Sequence, residues 1–80
     1  MYILATIDLT SPTQPEQDYK TEYSLDEAAK AFNDARKKLH KSYPMALFTV
    51  SNGYGELIKQ GTFRVDDTVI ATIGIYQPSH

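Results

Sequence analysis

Eighty residues with 41% hydrophobic and 22% charged content make one globular domain: the length leaves no room for a second, and the apolar share is too high for a disordered chain. The absence of cysteine excludes disulfides, thiolate catalysis and thiolate metal sites, and makes a cytoplasmic location the default expectation. The net charge of −2 conceals an asymmetry: residues 1–27 hold six acids against Lys20 alone, whereas residues 28–42 hold five basic side chains against Asp34.

Tyr2 to Leu9 alternates as a strand, with Ile3, Ala5, Ile7 and Leu9 on one face and Tyr2, Thr6 and Asp8 on the other. It is too short and lacks the basic start for a signal sequence, and nothing approaches a membrane span. Residues 10–18, with Ser11, Pro12, Pro15 and Glu16 and no apolar side chain, read as an exposed polar loop. Tyr19, Thr21 and Tyr23 alternate with Lys20 and Glu22 as a short strand over residues 19–23, hairpinned to the first at a sheet edge.

Ser24-Leu25-Asp26-Glu27 is a capping box and opens a helix over residues 24–42. Its apolar stripe is Leu25, Ala28, Ala29, Phe32, Ala35 and Leu39, and Pro44 stops it by disfavouring helical geometry at Tyr43. The alanines let the helix lie close against a sheet, with Phe32 as the largest anchor.

Residues 45–60 read as a hairpin, with Asn52-Gly53 as a two-residue turn whose central residues both take positive φ. Gly61 loosens the chain before a C-terminal strand region over residues 62–76. There Asp66-Asp67 turns the chain and Val69, Ala71, Ile73 and Ile75 share a face. Residues 77–80 read as a tail. The expected fold is α+β: a mainly antiparallel sheet of four to five strands with one helix on one face. The other face stays open, and Tyr2, Thr6, Phe48, Thr72 and Tyr76 are its expected members.

No catalytic constellation is recognisable. His40, in the last helical turn, is explained by the negative end of the helix dipole, and Ser24 by its cap. Asp26/Glu27 diverge by about 100° on a helix, and Asp66/Asp67 point to water from a tight turn, so neither pair forms an acid/base dyad. Metal and cofactor sites are not expected, because no three acids converge and no phosphate-binding GK[ST] follows Asn52-Gly53-Tyr54-Gly55.

In layout from Met1 to Tyr76, the chain resembles small phage-encoded accessory proteins of the anti-CRISPR type: a strand, an acidic connection, one capped alanine-rich helix and an antiparallel hairpin. That group is commonly compact, cysteine-poor and non-enzymatic. The resemblance carries over no site residue, but it implies blocking of a protein machine. The expected function is a non-enzymatic protein-binding inhibitor or adaptor. Glu16, Asp18 and Glu22 with Tyr19 and Tyr23 form its expected contact face towards a basic partner, and Tyr54 is a further contact at a hairpin tip. A homodimer through a sheet edge is a further option. The alternative is a nucleic-acid-binding protein that uses Arg36, Lys37, Lys38 and Lys41 together with the open aromatic face.

Overall fold

A computed structural model describes residues 1–10 and 16–78, with Glu16 described in its backbone only. The strands are β1 (Tyr2–Asp8), β2 (Glu16–Glu22), β3 (Leu47–Asn52), β4 (Leu57–Val65) and β5 (Thr68–Tyr76), and the helix is α1 (Leu25–Ser42). They form a five-stranded sheet of order β2-β1-β5-β4-β3 in which every neighbouring pair is antiparallel. The fold is therefore α+β, one helix on one face of an antiparallel sheet.

Helix α1 begins where the Ser24 hydroxyl accepts the Glu27 N–H at 3.1 Å and donates to the Glu27 carboxylate at 3.0 Å. Its far end is closed by the Tyr43 N–H donating to the Leu39 carbonyl at 2.8 Å. The chain enters α1 from the edge strand β2 and leaves it for the opposite edge strand β3, so the helix crosses the sheet on one side and rests mainly on β1 and β5. Ala28, Ala31, Phe32 and Leu39 face the sheet and pack on Leu4, Phe63, Ala71, Ile73 and Ile75. Leu25, expected on this stripe, is 49% exposed, while Ala31, not expected on it, joins the buried cluster.

The register places Leu4 opposite Ile75, and Thr6 opposite Ile73, on the helix side. Ile3, Ala5 and Ile7 therefore point away from α1, and Tyr2, Thr6 and Asp8 share its side. Of the expected open-face set, Thr72 and Tyr76 lie on the uncovered side, but Tyr2, Thr6 and Phe48 do not: Phe48 pairs with the buried Phe63, and Tyr2 packs on the core. Alternation alone could not assign the faces, because both faces of β1 carry apolar residues. Register shifts between Leu57/Lys59 and Phe63/Arg64 leave Ile58 and Ile70 without partners in the β4–β5 ladder, and both pack against the core. The second shift moves Val69 off the face of Ala71, Ile73 and Ile75, since a bulge reverses the alternation beyond it.

Several boundaries differ from the sequence reading. Strand β2 begins at Glu16, not Tyr19, with Gln17 and Asp18 paired to Ile7 and Thr6, because an edge strand needs no apolar residues to hold its ladder. Residues 11–15 lie outside the described residues. Leu9 follows β1, and Met45 and Ala46 precede β3. The turn between β3 and β4 spans Gly53 to Glu56 rather than Asn52-Gly53: the Leu57 N–H donates to the Tyr54 carbonyl at 3.2 Å, and Gly55 takes φ +64°. Gly53 serves another need, since a Cβ there would lie 2.0 Å from the Leu57 carbonyl oxygen. Gly61 does not loosen the chain but lies buried within the continuous β4, where its missing side chain leaves room for the Phe48 and Phe32 rings. Asp66-Asp67 does turn the chain, with Asp66 at φ 55°. The Gln77 N–H is tied to the Glu56 carbonyl at 2.8 Å, and residues 79–80 lie outside the described residues.

Candidate interaction surfaces

The register splits the expected contact set, leaving its acidic positions on one side of β2 and Tyr19 on the other. Alternation along β2 sends Asp18, Lys20 and Glu22 to the helix side, opposite Thr6, Leu4 and Tyr2, and sends Tyr19 to the other side, opposite Ala5. Glu22 is only 8% exposed and its Oε1 lies 3.2 Å from Lys20 Nζ, close enough for an ion pair but without hydrogen-bond geometry. It is thus a packed residue rather than a free charge. The Glu16 side chain lies outside the described residues. Tyr23 is 80% exposed beyond the end of β2, and Tyr54 is 88% exposed in the β3–β4 turn, four strands across the sheet order.

Because β2 is charged on its helix side, α1 does not close against it, and a groove of about 630 Å³ remains. Leu4, Ala31 and Leu39 form its floor, while Asp18, Asp34 and Lys38 stand on its rim. At one end, Asp8 Oδ1 accepts the Thr10 N–H at 2.9 Å and the Thr10 hydroxyl at 2.6 Å, and Oδ2 accepts the Tyr43 hydroxyl at 2.6 Å. Burial pushes the Asp8 carboxyl up, but these hydrogen bonds more than offset it and hold the group below its ordinary value. Asp8 thereby ties the end of β1 to the C-cap of α1.

The basic residues of α1 also diverge, at about 100° per residue around the helix. Arg36 leans towards β3, its guanidinium 5.9 Å from the Phe48 ring centroid. Lys38 turns to the groove beside β2, and Lys37 and Lys41 are exposed on the outer side. His40 remains in the last helical turn, but its ring also packs edge-on to Phe63 and Phe48, with centroids 4.9 and 5.7 Å apart. Together with Phe32 they form an aromatic cluster at the β3–β4 side of the core.

The sheet face away from α1 is a different surface. Across it run Gln17, Tyr19 and Thr21 of β2, Ile3, Ala5 and Ile7 of β1, and Thr72, Gly74 and Tyr76 of β5; Gln60, Thr62 and Arg64 of β4 and Leu47, Thr49 and Ser51 of β3 complete it. Among the described strand residues of this face, Arg64 alone is charged. Ala5 is buried here, outside the helix-side core, and the Tyr76 ring lies over Gly74, where a Cβ would come within 2.8 Å of it. The Tyr19 hydroxyl donates to Gln17 Oε1 at 2.7 Å, holding that ring on the face. Ile3 and Ile7 were not among the expected members of this face, whereas Thr72 and Tyr76 were. The signal was present, because β1 is apolar at odd and even positions alike, as a strand apolar on both faces must be.

Among the described residues, no three His, Asp or Glu side chains are grouped to hold a metal ion, and no helix is long and apolar enough to cross a membrane. No protein-family model, curated protein or solved structure matches the chain.

Proposed function

We propose that this chain is a small non-enzymatic protein-binding module, an inhibitor or adaptor that acts by covering a partner's surface, as the anti-CRISPR-like layout implies. The observation that carries the reading is the uncovered sheet face, on which three isoleucine and leucine side chains and two tyrosines stand among threonines and glutamines with a single charge. Interface centres are depleted in charge and enriched in tyrosine, which supplies large contact area at low entropic cost. The reading favours an uncharged partner surface over the basic one that an acidic contact face would require. Nucleic-acid binding is less well supported because its two elements lie on opposite sides of the molecule. The lysines of α1 stand above one sheet face and Tyr19 and Tyr76 on the other, so a single strand would have to pass around the sheet edge to meet both.

The test is affinity capture from the native host, with partners identified by mass spectrometry, using the wild type, Tyr19→Asp and Ile7→Asp. Tyr19 is 61% exposed, so its variant should fold and melt like the wild type yet lose the captured partner. An Asp18→Lys variant, altered on the opposite face, should retain it. Capture unchanged by Tyr19→Asp and Ile7→Asp would refute the role of this face. Micromolar binding of the wild type to a generic nucleic acid at physiological salt, abolished by changing Arg36, Lys37, Lys38 and Lys41 to glutamine, would establish the alternative.

A further inference from the structure

The two edges of the sheet are protected unequally. Strand β2 carries Glu16, Asp18, Lys20 and Glu22 in seven residues, the kind of charged edge that resists pairing with another chain. Strand β3, Leu-Phe-Thr-Val-Ser-Asn, has no charge, no proline and an unbroken register with β4. Exposed apolar side chains gather along it and at its ends: Met45 at 89%, Leu47 at 66%, Val50 at 50% and Tyr54 at 88%. The axis of helix α1 lies over β1 and β5, and its Phe32, Arg36 and His40 side chains reach β3 at Phe48, well short of Val50 and Asn52 on the edge.

We infer that β3 is a self-association edge, at which a second copy of this chain pairs antiparallel across a two-fold axis normal to the sheet. The backbone sets the register. The Gly53 N–H donates to the Ile58 carbonyl, so by the alternation of an antiparallel ladder Leu47, Thr49 and Ser51 aim their groups at β4, and Phe48, Val50 and Asn52 aim theirs at the free edge. A two-fold axis at Val50 sets Val50 against Val50 of the second copy and Phe48 against the second copy's Asn52. All three outward residues are then paired, giving about six hydrogen bonds. An axis at Thr49 leaves Asn52 without a strand partner.

Self-pairing at β3 opposes no charges at all, whereas the same operation at β2, centred on Tyr19, would set Glu16 against Glu22 and bring two Asp18–Lys20 pairs to the seam, all of which must be desolvated. The axis keeps both helices on one side and both uncovered faces on the other, so the dimer presents one ten-stranded, nearly uncharged face. Six residues of edge bury less than the ~800 Å² per partner of a standard interface, so the dimer is weak and concentration-dependent. This inference concerns an edge and is separate from the partner-binding face proposed above.

Sedimentation equilibrium from about 10 μM to about 1 mM should show a rising dimer fraction for the wild type. Val50→Lys should raise the dissociation constant by at least about tenfold, because two ammonium groups meet at the axis. Far-UV circular dichroism checks that this variant is folded. In parallel, Val50→Cys should oxidise to a disulfide-linked dimer, since hydrogen-bonded antiparallel pairs have Cα atoms about 5.5 Å apart, within disulfide reach. Thr21→Cys, exposed on the charged edge, should oxidise at least about tenfold more slowly. A strictly monomeric wild type, a dimer indifferent to Val50→Lys, or equal oxidation of the two cysteine variants would each overturn the inference. A chain that stays monomeric yet captures a protein partner through Tyr19 refutes self-association and leaves the functional reading standing.

Discussion

Replacing Gly61 with alanine tests how the aromatic cluster is seated on the sheet. Built on the backbone, the added Cβ lies 2.6 Å from both Cε1 and Cζ of Phe48 and 2.9 Å from Cζ of Phe32, well inside the 3.4 Å at which ordinary contact begins. The Phe48 ring must retreat, but it also packs against Phe63, with centroids 4.7 Å apart, and against His40 and Phe32, so its retreat disturbs three neighbours. Overpacking of this kind costs about 1–3 kcal/mol, and the reduced freedom of the unfolded chain returns about 0.4–1 kcal/mol. The net loss should be about 1–2 kcal/mol, which lowers the Tm of a domain this size by about 5–15 °C. Phe48→Leu deletes the two clashing ring atoms. In that background Gly61→Ala should cost less than half as much, a coupling of about 0.5–1.5 kcal/mol. Urea unfolding followed by circular dichroism and tyrosine fluorescence gives all four corners of the cycle. An unchanged or stabilised Gly61→Ala, or an equal loss in both backgrounds, would show that the ring does not lie over Gly61.

Two further measurements address the helix and its tie to the sheet. Ser24→Ala removes the side chain that accepts the Glu27 N–H and should cost about 1 kcal/mol in the same urea assay; no loss would mean that the hydroxyl does not cap α1. Asp8 is held below its ordinary value, so it contributes stability above the unfolded aspartate pKa of about 3.9, and that contribution is lost as pH falls through the lower folded value. Stability should thus decline on acidification below about pH 4, and Tyr43→Phe, which deletes one donor to Asp8, should make Asp8's share of that decline shallower. Identical pH slopes in the two proteins would exclude the hydrogen bond as a cause.

Local chemistry was legible in the residues themselves. A helix cap needs only Ser24 and Glu27 three residues apart, and a proline at 44 limits the helix whatever surrounds it. The α+β class followed from one helical stripe among alternating strands, because a single helix must cover a sheet to bury its apolar side. The Asp66-Asp67 turn was equally local. Asn52-Gly53 was a sound turn signal placed two residues early: the tip is fixed by Gly55 at positive φ and by the close approach of Leu57 to Gly53, which depends on where β4 returns.

Tertiary structure decided the faces. Alternation assigns residues to two sets but does not say which set meets the helix. In β1 both sets are apolar, so only pairing with β5 shows that Leu4 is core and Ile3 is surface. The same parity separates Tyr19 from Asp18 and Glu22, neighbours in the chain that stand on opposite sides of β2, and so divides the tyrosine from the acids in the contact set that adjacency suggested. Bulges at Ile58 and Ile70 shift parity within β4 and β5, which pairing reveals and composition does not. Strand order, finally, makes β2 and β3 the two edges, so that the charge of one and the neutrality of the other become statements about association, because an edge acquires physical meaning only once its neighbours are known.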